Sequence, residues 1–292
     1  MREASISTPV LEGSGAGSVR LDVWRVIAFV MLAVGCIAFL LPFIWAISSS
    51  LKPDYQVLEL PPRLIPNPVR WQNYPEALTY VPFGRYAMNT LIIAVGAIVG
   101  NLLSCTLVAY GFARLRAPGK DVLFIVMLAT MMLVDPVRII PLYIEFKTLG
   151  WIDTYLPLIV PAFFGSPFYI FLLRQFFMNI PAELEDAALI DGANRVQIIW
   201  KIFLPLAKPA LAAIAIFNFQ GVWNDFLSPL VFLHDQSKFT VALGLNFFRG
   251  TYDVHWGYLM AASLVAMLPV VIVFFVAQKQ FIEGISLSGL KG

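Results

Sequence analysis

The chain has 292 residues, of which 59% are hydrophobic and only 13% carry a charge, and this balance excludes an ordinary soluble globular protein. Its net charge is +2, without a basic cluster that contains interleaved aromatic residues, so nothing in the sequence indicates nucleic-acid binding. Cys36 and Cys105 both fall in apolar stretches, where we expect small buried residues rather than a disulfide or metal ligands.

Six apolar stretches approach the length of about 20 residues that crosses the hydrocarbon core of a bilayer. Four contain no Asp, Glu, Lys or Arg: residues 26–51, 86–113, 154–173 and 254–278. Two are interrupted by charge: residues 122–143, with Asp135 and Arg138, and residues 209–233, with Asp225. We therefore predict an all-α, polytopic integral membrane protein with six transmembrane helices.

The ends of the chain are predicted to lie in the cytoplasm. Residues 1–20 contain Ser and Gly and are predicted to form a disordered cytoplasmic tail, and the apolar run behind them is too long for a signal peptide core. With the N-terminus in the cytoplasm, twelve Lys and Arg residues would lie in cytoplasmic segments and eight in outer segments. The bias is sharpest after the second stretch, where Arg114, Arg116 and Lys120 fall within seven residues.

Three further features, one between these stretches and two within them, lead to structural predictions. Residues 52–82 are rich in proline and contain Trp71, so we predict an outer loop against the membrane interface. Gly96 and Gly100 have a spacing that lets another helix approach closely, although ordinary tolerance of glycine in a membrane helix explains them equally well. Pro136 predicts a kink or a re-entrant turn, with Asp135 and Arg138 as an ion pair across it.

Residues 179–209 are more polar and predict two short amphipathic helices joined at one glycine. Pro181 suits the first helical position, and acidic residues crowd the first turns, where the helix dipole favours negative charge. Gly192 stands where a helix ends, because glycine adopts the left-handed conformation at little cost. Asn194 and Gln197 form a capping-box pattern that begins the second helix, and Pro205 and Pro209 break it.

The spacing of particular residues within this segment indicates a function as well as a local structure. From Asp186 the chain reads Asp-Ala-Ala, three residues, Gly192, nine residues, Ile202, one residue, then Leu204 and Pro205. This resembles the EAA motif of permease subunits of ABC importers, with Asp186 where the family usually has Glu. Four further strings, at residues 85–94, 109–120, 139–143 and 223–230, resemble the carbohydrate-type branch that includes the maltose and glycerol-3-phosphate importers. The likeness covers residues 21–285.

The resemblance implies a type I ABC importer permease fold over residues 21–292, with residues 179–209 as a cytoplasmic coupling segment. The chain would sit in the cell membrane among lipid and form half of the translocation pathway for a sugar or sugar-like solute. Its partners would be a second homologous permease subunit, two ATPase subunits and an extracytoplasmic solute-binding protein. The residues implied to couple to the ATPase are Glu183, Glu185, Asp186, Ala187, Ala188, Asp191, Gly192, Ala193 and Arg195.

A second candidate site lies on the fifth stretch. An acid within a membrane costs about 2.5–3.5 kcal/mol on insertion scales, so Asp225 requires an explanation. Asn and Asp side chains can hydrogen-bond sugar hydroxyls and an aromatic ring can stack on a sugar, but Asp225 could equally bond a neighbouring helix. The resemblance implies that this stretch lines the pathway through Asn218, Gln220, Trp223, Asn224 and Asp225.

The sequence has no phosphate-binding loop, no zinc-protease or serine-hydrolase motif and no CxxC pair. We therefore expect a transport subunit that is not itself an enzyme and binds no cofactor, with ATP and Mg on the partner ATPase. The alternative is a secondary transporter driven by an ion gradient, with Asp225 or Asp135 as the coupling carboxylate. A membrane-embedded enzyme is disfavoured because no nucleophile–base or metal constellation exists.

Overall fold

Apolar stretches in a membrane must satisfy their backbone groups internally, and this chain does so with helices. The structure, a computed structural model, describes residues 23–250 and 254–289, so the predicted tail at residues 1–20 lies outside the described residues. Within the described part no strand forms, and Arg249 and Val254 make an isolated β-bridge. The all-α class is confirmed.

Fifteen α-helices occur in the described residues, several of them only one turn long. In chain order they are α1 Val23–Ser50, α2 Asp54–Val57, α3 Asn73–Tyr80, α4 Phe83–Arg114, α5 Lys120–Ala129, α6 Asp135–Thr148, α7 Leu156–Ile159, α8 Pro167–Met178, α9 Ala182–Ile190, α10 Arg195–Ile198, α11 Leu204–Leu206, α12 Lys208–Asn224, α13 Leu227–Phe232, α14 Val241–Leu245 and α15 Trp256–Gly289. The chain divides into two compact units, one ending at Trp45 and the other beginning at Ala46.

Six spans are available in the described residues. Four helical segments are long and apolar enough to cross a membrane: Trp24–Ser50, Phe83–Arg114, Leu156–Met178 and Trp256–Gln278. Two bent pairs bring the number to six if each pair is one span: Lys120–Met132 with Pro136–Thr148, and Arg195–Leu206 with Lys208–Asn224. This agrees with the predicted number.

The two interrupted stretches are both broken. The third turns by 101° before Pro136, which takes an early position in α6, where its missing N–H leaves no bond unmade. The prediction of a kink or a re-entrant turn at this place is therefore confirmed. The Asp135 side chain lies outside the described residues, so its ion pair with Arg138 stays a prediction. In the fifth stretch α12 ends at Asn224 and α13 begins at Leu227, so the prediction of an acid inside one continuous span was wrong.

Helix α4 is the centre of the second unit and packs against α7, α8 and α12. At Gly100 an added Cβ would lie 2.7 Å from the ring of Phe163, and at Gly96 it would lie 2.9 Å from the side chain of Ile159. Both distances are shorter than a van der Waals contact. The two glycines therefore serve the close approach of the segment 156–164, which decides between the two explanations of their spacing.

The predicted outer loop, residues 52–82, is folded onto the start of α15. The Tyr258 hydroxyl donates to the Glu76 carboxylate at 2.6 Å, and the Gly257 amide donates to the Asp54 carboxylate at 2.7 Å. Arg70 pairs with Glu76 at 2.9 Å. This loop is therefore an ordered layer rather than a mobile connection.

Asp153 ties the loop after α6 to the loop after α13. Its carboxylate pairs with Lys238 at 2.7 Å and accepts hydrogen bonds from the backbone amides of His234 and Asp235. The Lys238 hydrogen bond, followed by the Asp235 amide, lowers the pKa of Asp153 from 3.8 to about 2. The residue also has a φ of 60°, in the left-handed region that Asn and Asp tolerate better than most residues.

We expect Asp153→Asn to lower the thermal unfolding midpoint at pH 6, because the amide can still accept from both backbone N–H groups but loses the pair with Lys238. A carboxyl whose pKa is depressed on folding stabilises fully above its ordinary value of 3.8 and loses that contribution as the pH falls through about 2. The difference between wild type and variant should therefore shrink between pH 5 and pH 2.5 in detergent.

The matched variant is Lys238→Met, which removes the same pair together with the hydrogen bond to the Asp153 carbonyl at 2.7 Å and a contact with Asp235 at 3.8 Å, so it should lower the midpoint at pH 6 at least as much. Asp153→Asn should add little to Lys238→Met, since the shared pair is already gone. A difference that stays constant with pH would contradict this assignment.

Candidate functional site

The glycine-linked helix pair of residues 179–209 forms as the sequence predicts. Helix α9 ends before Gly192, whose φ is 79°, and the amide of Ala193 donates to the carbonyl of Ala188 at 2.9 Å. Pro181 precedes α9 in an extended conformation, one position earlier than predicted. The turn at Gly192 thus satisfies helix-end carbonyls in a geometry that suits glycine.

The predicted capping box is also confirmed. The Gln197 amide donates to the Asn194 side chain at 2.8 Å, and the Asn194 amide donates to the Gln197 side chain at 2.9 Å. The helix then runs through α10, a π-helical turn at Ile199–Phe203 and α11, and it bends by 79° at Ala207 into α12. Pro205 and Pro209 flank this bend and each removes a backbone donor.

Glu185 is the one member of the predicted coupling set that is buried, with 6% of its surface exposed. The Tyr110 hydroxyl donates to its carboxylate at 2.7 Å, and the Arg195 guanidinium donates to the same oxygen. Arg114 lies 3.7 Å from the other oxygen. The carboxylate therefore joins α9 to α4 and to the start of α10, and it is not part of the exposed surface.

Arg114 extends this junction to α8. Its guanidinium donates to the carbonyl of Phe177, in the last turn of α8, at 2.7 Å and to that of Ile180, just after the helix. It also lies 5.2 Å from the centre of the Phe203 ring. We call Tyr110, Arg114, Glu185 and Arg195 the coupling junction.

Beneath the junction lies an apolar cluster drawn from α4, α8 and the segment after Gly192. The Phe203 ring meets Tyr110 edge-to-face at 5.1 Å and Phe177 at 5.2 Å, and Phe177 and Phe203 are fully buried. Ala188 of α9 packs against this cluster, so a movement of α9 is resisted by a packed contact as well as by charge.

The remaining predicted coupling residues lie at or near the surface. Exposed are Glu183, Asp186, Ala187, Asp191, Gly192 and Arg195, while Ala188 and Ala193 are half-buried. Between them stand apolar side chains that the sequence reading missed, above all Ile190, which is 86% exposed. The sequence shows an apolar residue beside the turn, but it does not show that the side chain is exposed. The result is a polar and apolar surface at the end of the bundle.

The predicted pathway residues separate into two groups. Gln220, Trp223 and Asn224 line a cavity, whereas Asn218 is buried and Asp225 is absent from the lining. The Asp225 carboxylate accepts from the Ser228 amide at 3.1 Å and thereby caps α13. A local cap accounts for the acid in an apolar stretch, and neither alternative from the sequence included it.

The cavity lies between α12, α14 and α15 and has a volume of about 790 Å³. Its wall is mostly apolar, with polar side chains from Gln220, Asn224, Asn246, Arg249 and Ser263. Trp223 and Trp256 add aromatic surface, and the Trp223 indole donates to the carbonyl of Ala266 at 2.9 Å. Sequence reasoning missed the contributions of α14 and α15, because no local motif marks them.

The chain matches the family model of binding-protein-dependent transport system inner membrane components over residues 13–286. It belongs to this family. At 34% identity it is similar to the diacetylchitobiose uptake system permease protein NgcG of Streptomyces coelicolor, over 89% of this chain and 87% of the relative. At 33% identity it is similar to the sn-glycerol-3-phosphate transport system permease protein UgpE of Yersinia pestis, over 88% and 94%.

A solved structure gives the same result. The crystal structure of a bacterial ABC transporter involved in the import of the acidic polysaccharide alginate matches with a TM-score of 0.79 at 26% identity, covering 92% of this permease and all of that chain. The permease is therefore an inner membrane subunit of an ABC importer. The alternative of a transporter driven by an ion gradient is excluded by this membership.

Proposed function

We propose that this permease forms half of the translocation pathway for a sugar and is driven by a cytoplasmic ATPase that docks on α9. The observation that carries the proposal is the coupling junction, which holds α9 against the bundle on one side and leaves its other side open. Relatives and a solved homologue that handle diacetylchitobiose, glycerol 3-phosphate and alginate support a sugar or sugar-like solute.

The exposed side of α9 suits a protein partner. Ile190 and Leu184, 86% and 45% exposed, supply apolar area, and Glu183, Asp186 and Asp191 surround it with negative charge. ATP and Mg would be bound by the partner, because the permease sequence has no nucleotide-binding motif. Docking of a cytoplasmic ATPase would require α9 to face the cytoplasm, and the bias of Lys and Arg predicts the same side for both ends of the chain.

The proposed mechanism is alternating access. Closure of the ATPase pair displaces α9, and the coupling junction transmits that displacement to α4 and α8. The segment from Asn194 continues through the bend at Ala207 into α12, which rises about 18 Å at 1.5 Å per residue before it reaches the cavity at Gln220. A tilt at the coupling end therefore changes which side of the membrane the cavity faces.

The complete importer would contain a second homologous permease subunit, two ATPase subunits and an extracytoplasmic solute-binding protein. A binding protein fits the family's description, and the second permease supplies the other half of the pathway. We propose that the solute passes from the binding protein to the cavity at the far end of α12.

The proposal predicts that Ile190→Asp, in the tagged chain, reduces the Mg-dependent ATP hydrolysis that co-purifies from membranes. A charge at the centre of an apolar contact is desolvated without a partner, and we expect a loss on the order of tenfold in association. The matched control is Ile65→Asp, because Ile65 is 81% exposed but lies in the loop before α3. Equal recovery of the ATPase by both variants would contradict docking on α9.

A further inference from the structure

The described residues that line the cavity between α12, α14 and α15 carry an unbalanced charge. Arg249 is the only charged residue in its described lining, and no carboxylate accompanies it. Within residues 23–250 and 254–289 the Arg249 side chain makes no hydrogen bond or ion pair. A guanidinium beside an apolar wall, without a protein partner, is a binding group for an anion.

Neutral polar groups stand around the same cavity. In the described part of the chain, the side chains of Gln220, Asn246 and Ser263 make no hydrogen bonds, and Asn224 uses only its amide nitrogen, which donates to the carbonyl of Gln220. Amides and a hydroxyl can both donate and accept, as sugar hydroxyls do. These groups leave binding capacity for a polyhydroxylated solute.

The size and apolar surface of the cavity agree with such a ligand. Its volume of about 790 Å³ is within the range of about 300–1,000 Å³ that small-molecule sites occupy. Trp256 lines it while half-buried, so an aromatic ring is available to the carbon face of a sugar.

We propose that this cavity is a subsite for a sugar that carries an anionic group, a carboxylate or a phosphate. Arg249 binds the anion, and Gln220, Asn246 and Ser263 bind hydroxyl groups. The proposal rests on the proposed function, in which the cavity belongs to the translocation pathway. It adds that the transported solute is negatively charged.

The test uses the full chain in its host membrane, with Cys36 and Cys105 replaced by Ala and Ser263→Cys as the reporter. Intact cells are treated with two impermeant methanethiosulfonate reagents of similar size, one bearing a sulfonate and one a trimethylammonium group. We expect the sulfonate reagent to react faster on the order of a hundredfold, because unit charges about 10 Å apart at an effective dielectric constant of about 20 favour the anionic reagent about tenfold and disfavour the cationic one by a similar factor. Arg249→Gln should abolish that preference and Arg249→Lys should keep it.

Protection by sugars identifies the ligand class. At least one of galacturonate and glucose 6-phosphate should slow the reaction, whereas galactose and glucose, with the same rings, should not. The acidic sugar that protects better shows whether the site prefers a carboxylate or a phosphate. Arg249→Gln should remove this protection, and Arg85→Gln, an exposed arginine outside the cavity lining, should retain it.

Equal protection by neutral and acidic sugars, protection that survives Arg249→Gln, or no protection by any of the four sugars would each overturn the proposal. A Ser263→Cys chain that neither reagent labels would overturn it as well. The ATPase recovery of the Ile190→Asp experiment does not depend on Arg249, so failure of this inference can be told from failure of the proposed function.

Discussion

Gly192→Val is expected to uncouple the importer while the chain still reaches the membrane. The φ of 79° at Gly192 costs an ordinary L-residue about 1–2 kcal/mol, and a β-branched side chain suffers more. A penalty of that size lowers the ratio of the native turn to its alternatives by about 5–30-fold. Because α9 is oriented by this turn, ATPase recovery and solute uptake per inserted chain should fall by up to that factor.

The control for this prediction is Gly192→Asn. Nothing lies within 4 Å of a Cβ built at Gly192, so there is open space beside the turn, and the variants differ mainly in their tolerance of the left-handed conformation. Asn should retain most of the coupling. Equal activity of the Val and Asn variants would show that the turn does not position the docking surface.

Glu185→Ala is the second change with a large expected effect. Tyr110 is only 2% exposed, and the change leaves its hydroxyl without an acceptor, at a cost of about 1–3 kcal/mol. It also removes the anion that neutralises Arg114, whose side chain is 12% exposed, whereas the half-exposed Arg195 can turn to water. We expect a lower unfolding midpoint and weaker stimulation of ATP hydrolysis by the solute-loaded binding protein.

Glu183→Ala is the matched control, because Glu183 stands two residues earlier on the same helix and is exposed. It should leave the unfolding midpoint unchanged. Tyr110→Phe should produce part of the Glu185→Ala effect, and the two changes together should cost less than their sum, since they share one hydrogen bond. Full additivity would mean that the coupling junction does not act as a unit.

Local rules account for what the sequence predicted well. The left-handed turn at Gly192, the capping box of Asn194 and Gln197 and the kink before Pro136 each depend on residues within about four positions of one another. Backbone sterics and helix-end hydrogen bonding act at that range. The number of apolar stretches follows equally directly, because span length is set by bilayer thickness.

Tertiary structure decided the direction of individual side chains. Glu185 and Asp186 are neighbours with equivalent chemistry, yet Glu185 is turned toward Tyr110, 75 residues earlier, while Asp186 is exposed. Asp225 looked like an acid inside a membrane helix, but the chain breaks there and the carboxylate caps α13. A pattern along one helix cannot reveal which of its polar groups finds a distant partner.

The cavity illustrates the same division. The sequence by itself determined that Gln220, Trp223 and Asn224 lie on one polar section of an apolar stretch. Only the fold brought Asn246 and Arg249, which follow α14, and Ser263, on α15, to the same cavity. The reason is physical: helix formation depends on near neighbours, whereas the shape and charge of a cavity depend on how separate helices pack.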